Sequence, residues 1–240
     1  MDTEAQHTER DRSSPSSDSG DVPNVAEASE ETEERSRSFF ASIVEWLPGG
    51  RLTLTFLLCM ASLLVVSTFV VQPFQIPSGS MEPAFRVGDR VLVNKLAYRF
   101  GSEPQRGDAV VFDGSGYFGD ADYIKRVVGT GGDRVVCCDK RGRIKVNGEP
   151  VEEPYLFEGD TPSQVPFDVV VPEDSLFLLG DHRSASSDSR DHLGQPGGGM
   201  IPVDEVIGRA DWIAWPIGHW TSLKRPDSYA RVPAPGGAHG

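Results

Sequence analysis

Two short segments hold the residue types that could do chemistry. PSGSMEP (residues 77–83) carries Ser78 and Ser80, and YIKRVVGTGGD (residues 123–133) carries Lys125. A serine hydroxyl attacks a carbonyl only when a base within hydrogen-bond reach takes its proton. Lysine is such a base only while neutral, and at an ordinary pKa of about 10.4 roughly four molecules in ten thousand are uncharged at pH 7. Lowering that value by about three units takes roughly 4 kcal/mol of desolvation or nearby positive charge. Lys125 has surroundings that fit: Tyr123 and Ile124 precede it, Val127 and Val128 follow, and Arg126 is expected on the opposite strand face. Each segment also has a plain reading, a lysine with a buried stem and a turn after Pro77.

The elements that must position these residues begin with an apolar run. Leu52 to Val71 contains no charged residue, and a helix of that length spans roughly 30 Å, the thickness of a hydrocarbon core. Its distance from the N-terminus and its length argue against a cleaved secretory leader. Arg35, Arg37 and Arg51 precede the run, and the uncharged VQPFQIPSGS follows it. That places the N-terminus in the cytoplasm and the C-terminal domain outside. Residues 1–40 hold eleven acids and four arginines, so −7 of the chain's net −13 lies in this leader, which is expected to be disordered. The expected organisation is an acidic tail and juxtamembrane segment over 1–50, a membrane span over 51–71, a domain over 72–225 and a loose C-terminal tail over 226–240.

Beyond the span the pattern is strand-like. VGDRVLVNKLAY, RGDAVVF, YIKRVVG, DRVVCC, GRIKVNGEPV, DSLFLLGD and VIGRADWIAW are short β-branched or aromatic runs punctuated by Gly, Pro and Asp. Asn147-Gly148 is a hairpin signal, because both residues tolerate positive φ. The expected fold is mainly β, a twisted antiparallel sheet domain behind one N-terminal transmembrane helix. No basic patch supports nucleic-acid binding. The five histidines are dispersed and CxxC and HExxH are absent, so no metal or other cofactor is expected. Of the three cysteines, Cys59 lies in the span. Cys137 and Cys138 are neighbours that a strand would aim at opposite faces, so free or intermolecularly paired thiols are expected over a disulfide between them.

PSGSMEP with FRVGDRVLVNK, then RGDAVVF, YIKRVVGTGGD and GDHRSASSDSR, in this order after one span, resembles the type I signal peptidases, membrane-anchored Ser/Lys proteases that remove signal peptides from exported preproteins. The resemblance runs from about Phe74 to Ala210 and implies a signal peptidase/LexA-like protease domain. It implies Ser80 as nucleophile and Lys125 as general base, with Ser78 supplying a hydroxyl to the oxyanion hole alongside the backbone N–H of Ser80. Ser186 matches the serine that holds the lysine amine, and Asp188 and Arg190 match its supporting pair. Phe74, Ile76, Met81, Phe85, Tyr123 and Ile124 match substrate-binding positions. His182, Ser184 and Ala185 depart from the commonest form of the last block, GDNRDNSxDSR. His182, with Asp181 and Asp188 near in sequence, raises a competing Ser/His/Asp triad.

The substrate implied is a secretory preprotein cut after Ala-x-Ala in extended conformation, with the lipid bilayer and the protein export machinery as further partners. DWIAWPIGHW, with Trp212, Trp215 and Trp220, is too short and interrupted for a second span. It fits either the membrane interface or an inward-packed terminal strand. Two other functions stand beside the peptidase: a self-cleaving Ser/Lys regulator of the LexA type, and a non-catalytic membrane-tethered docking protein.

Overall fold

Strands form where branched and aromatic residues run between turn residues, and the computed structural model, which describes residues 50–236, has twelve of them. They are β1 (Val71–Gln75), β2 (Arg90–Asn94), β3 (Ala109–Asp113), β4 (Asp122–Thr130), β5 (Arg134–Cys137), β6 (Ile144–Val146), β7 (Glu149–Pro150), β8 (Phe167–Val170), β9 (Ser175–Leu179), β10 (Ile201–Pro202), β11 (Val206–Trp215) and β12 (Thr221–Ser222). Every run read as strand from the sequence contributes at least one, and GRIKVNGEPV contributes both β6 and β7. The short β7, β8, β10 and β12 and the edge strand β1 carry weaker patterns.

An eight-stranded antiparallel sheet has the order β1-β2-β11-β3-β4-β9-β10, with β12 paired to β11. A second sheet, β7-β6-β5-β8, has four strands. Its β6–β7 hairpin turns at Asn147 and Gly148, both at positive φ (52° and 85°), as a two-residue loop demands. The strands that carry the site are buried on both faces. In β4, Ile124 through Gly129 are all buried, and in β3 so are Ala109 through Phe112. Ile76, Met81, Phe85, Val91, Val93, Val111, Ile124 and Ile213 form the core beneath the serine segment. Val128, Val135, Ile144, Val146, Phe177 and Leu179 join the two sheets.

A helix, α1 (Gly50–Val65), continues as a π-helical turn over Val66–Val70. These 21 residues include an 18-residue window with a mean hydropathy of 2.2, long and apolar enough to cross a membrane, and no residue of α1 is buried. The acidic leader lies outside the described residues.

Two expectations are corrected, and one of two open alternatives is set aside. The segment after Lys224 is not loose through residue 236: Tyr229 and Val232 are buried, and Arg225 pairs with the carboxylate of Asp108. Its apolar and aromatic side chains find core positions that composition did not reveal. Cys137 and Cys138 are joined in a disulfide. Strand alternation constrains Cys137 alone, because β5 ends there. The tryptophans do not pack inward: Trp212, Trp215, Trp220 and Ile217 are exposed, and only Ile213 of that run is fully buried.

Candidate active site

The serine segment is a turn that follows β1, closed by Glu82 N–H donating to Gly79 O at 3.0 Å and Phe85 N–H to Met81 O at 3.0 Å. Met81 and Phe85 are fully buried and fasten the turn to the core. Ser80 is thereby held with 8% of its surface exposed. Lys125 sits on β4 opposite Val110 of β3, and only 3% of it is exposed. The third component is the loop 180–190, which leaves β9, includes a 3-10 turn at Arg183–Ala185 and runs into a second at Ser189–His192.

These three elements meet at one amine. Lys125 Nζ lies 2.9 Å from Ser80 Oγ and 2.9 Å from Ser186 Oγ. Burial lowers its pKa to about 8, with the Asp188 carboxylate opposing the shift and the Arg190 guanidinium adding to it. About a tenth of the amine is then neutral at pH 7, on the order of two hundred times the fraction in an exposed lysine. Arg126 contributes differently from its neighbour: its guanidinium is buried against Asp181 and donates to Gly107 O at 2.8 Å.

The loop owes its shape to charge-assisted hydrogen bonds. Asp188 is buried; it accepts from Gly180 N–H at 3.0 Å and from both Nε and Nη2 of Arg190. Burial opposes ionisation of Asp188, but the Arg190 bonds, Gly180 N–H and the Ser186 hydroxyl hold its carboxyl below the ordinary range. Arg190 Nη2 also donates to Arg183 O. The loop is then strapped to the serine turn by His182 N–H donating to Ser80 O at 3.1 Å. Gly180 makes this approach possible. A Cβ there would lie 2.2 Å from Ser186 Oγ and 2.5 Å from Ser80 O.

The structure brings Ser80, Lys125, Ser186, Asp188 and Arg190 together, with Ser78 Oγ 3.4 Å from Ser80 Oγ. A cleft of about 320 Å³ opens beside them, lined by Phe74, Ile76 and Ser78 on one side and Tyr123, Ile124 and Lys125 on the other. Gln75, Pro77, Val111, Ala121, Asp122, Ala185 and Ser187 complete it, none of them read as substrate-binding from the sequence. Met81 and Phe85 do not line it; they fill core, since the turn that presents Ser80 must be fastened from below. His182 makes no triad. Its ring stacks on Phe157 at 3.9 Å, and its buried Nδ1 has no hydrogen-bond partner. Sequence reasoning also missed the Arg126–Asp181 and Arg183–Glu153 pairs. An arginine followed by Val127 and Val128 in a largely apolar strand was the available clue, because a buried guanidinium needs a carboxylate.

A hydroxyl held against a desolvated amine at the rim of a cleft is the equipment of a serine hydrolase whose base is lysine. The family model for signal peptidase, peptidase S26, matches residues 48–215, and the chain belongs to that family of serine endopeptidases. The probable signal peptidase I of Mycobacterium leprae (strain TN) is 34% identical over 211 residues, spanning 65% of this chain and 72% of that protein. Signal peptidase I of Mycobacterium tuberculosis (strain ATCC 25618 / H37Rv) is 37% identical over 204 residues, with 65% and 69% spanned. Signal peptidase IB of Staphylococcus aureus (strain COL) is 30% identical over 202 residues, with 78% and 96% spanned.

Proposed function

We propose that the protein is a membrane-anchored endopeptidase that removes N-terminal signal peptides from secretory preproteins after small residues, with Ser80 as nucleophile and Lys125 as general base. The observation that carries the reading is the 2.9 Å separation of the buried Lys125 Nζ from Ser80 Oγ. The neutral amine accepts the Ser80 proton as Oγ attacks the scissile carbonyl, while Nζ donates to Ser186 Oγ. The oxyanion then forms near Ser80 N–H and the Ser78 hydroxyl, two donors that would stabilise it. Lys125, now an ammonium, returns its proton to the leaving amine of the mature protein. The signal peptide stays esterified to Ser80 until a water molecule, deprotonated by the same amine, releases it.

The substrate enters as a strand. β9 pairs with β4 only from Arg126 onward, so residues 122–125 have a backbone edge beside the cleft that an extended peptide can join. Main-chain bonds tolerate varied sequence, and a cleft of about 320 Å³ favours alanine-sized side chains at the pocketed positions. Helix α1 with its π-helical turn is the single span, the N-terminus is cytoplasmic and the domain faces outward. The bilayer and the export machinery are partners in this reading. A docking protein would gain nothing from burying an amine against two hydroxyls, which costs stability and serves only catalysis.

The test is incubation of the detergent-solubilised full chain with a preprotein bearing an Ala-x-Ala site, beside Ser80→Ala and Lys125→Ala. Cleavage by the parent and none by either variant is expected; equal cleavage by all three would overturn the mechanism.

A further inference from the structure

Two phenols that take no part in the chemistry close a buried network behind the site. Glu153 receives the Arg183 guanidinium and, on the same Oε1, the Tyr155 hydroxyl at 2.8 Å. Tyr155 and Tyr229 meet oxygen to oxygen at 2.8 Å. Because Tyr155 gives its proton to Glu153, Tyr229 must be the donor of that second bond. Burial first, and then the Glu153 carboxylate, push both phenols above their ordinary range, so both keep the protons this direction requires.

Tyr155 reaches both arginine anchors of the 180–190 loop, Arg126 directly and Arg183 through Glu153. Through its hydroxyl Tyr155 orients Glu153, which holds Arg183; Arg183 in turn donates to Gly180 O at 2.8 Å. Through its ring face Tyr155 covers the Arg126 guanidinium, 4.2 Å from the centroid, and Arg126 holds Asp181. Tyr229 packs against Gly107, whose carbonyl accepts from Arg126. Gly180 and Asp181 begin the loop whose Ser186 meets the amine.

We propose that Tyr155 and Tyr229 are positioning residues for Lys125, and that the C-terminal segment acts as a strap whose phenol fixes the loop that presents Ser186. The inference rests on Lys125 being the base. It gives the segment after Lys224 a part in the reaction, although none of it lines the cleft. With the Tyr229 donor lost, Glu153 and Arg183 are less constrained, the loop rides looser over Ser80, and water reaches the amine. The amine is then more readily protonated, and the reaction needs a higher pH.

The experiment uses the detergent-solubilised full chain carrying Tyr155→Phe, Tyr229→Phe or both, changes that keep the rings. kcat, KM and the pH dependence of kcat are measured with an Ala-x-Ala preprotein, alongside thermal stability. Each single change is expected to lower kcat at pH 7 about threefold. The acid limb is expected to move up by roughly half a pH unit with KM nearly unchanged. The double variant should be no worse than Tyr155→Phe, because both act through one hydrogen-bonded chain. A folded Tyr229→Phe protein with unchanged kcat and pH midpoint, or with lowered thermal stability and an unmoved midpoint, overturns the proposal. Full turnover by Lys125→Ala would instead sink the Ser/Lys reading beneath it.

Discussion

Ser186 is the residue whose loss separates geometry from charge. It carries no charge to lose, yet it is one of two hydroxyls that hold Lys125 Nζ. Ser186→Ala should reduce kcat roughly ten- to a hundredfold while KM stays near its original value, since it misplaces the base without touching the cleft. Steady-state kinetics on a preprotein checks this. His182→Ala should retain turnover within a few-fold, because the strap to Ser80 uses the His182 backbone N–H, which alanine keeps. Ser80 and Lys125 stood out in the sequence as residue types able to react, whereas Ser186, Asp188 and Arg190 were picked out only through the resemblance of their block to the signal peptidases. Arg183 stood in that block without its partner Glu153, while Arg126 and Asp181 stood in separate blocks with nothing local to pair them. Glu153 and Tyr229 come from distant segments, and nothing local announces a carboxylate or a phenol that will be buried against an arginine.

At the scale of elements, the site depends on how closely the 180–190 loop approaches the serine turn. Gly180→Ala tests that closeness, because the added methyl has no room between Ser186 Oγ and Ser80 O. The loop must move outward, costing on the order of 2 kcal/mol of stability, and kcat should fall about a hundredfold, as expected for a displacement near 1 Å. Denaturant melting and kinetics together check it. A variant with unchanged kcat would show that the contact does not set the position of Lys125. The strands themselves were readable wherever alternation or a β-branched run was long, as in β4 and β11. β8 and β10 were not, because their ladders with β5 and β9 span two to four residues, too few for a period to show. Met81 and Phe85 show the same limit in reverse. Apolar residues beside a nucleophile read as substrate contacts, whereas a turn presenting a hydroxyl needs its own anchors in the core.

For the molecule as a whole, the buried amine trades stability for activity. Below about pH 8 both the folded and the unfolded chain carry the Lys125 proton, and the folded one bears the full cost of a desolvated cation. As pH rises from there toward the ordinary lysine range, the unfolded chain binds more protons than the folded one, and stability climbs. Lys125→Met should therefore be more stable than the parent by roughly 3 kcal/mol at neutral pH, a margin that shrinks steadily above pH 8 in denaturant melts. The helix long and apolar enough to cross a membrane was legible from its length and composition alone. The buried C-terminal segment was not, since PDSYARVPAP has the composition of a loose tail and only its docked position reveals Tyr229 and Val232 as core. The central claim is that one desolvated lysine is the base, and the pH dependence of single-turnover cleavage of an Ala-x-Ala preprotein tests it most directly. The account predicts a rise with a single midpoint near 8, abolished in Lys125→Ala and unmoved in His182→Ala. A midpoint in the ordinary histidine range that vanishes in His182→Ala, with turnover surviving in Lys125→Ala, would contradict it.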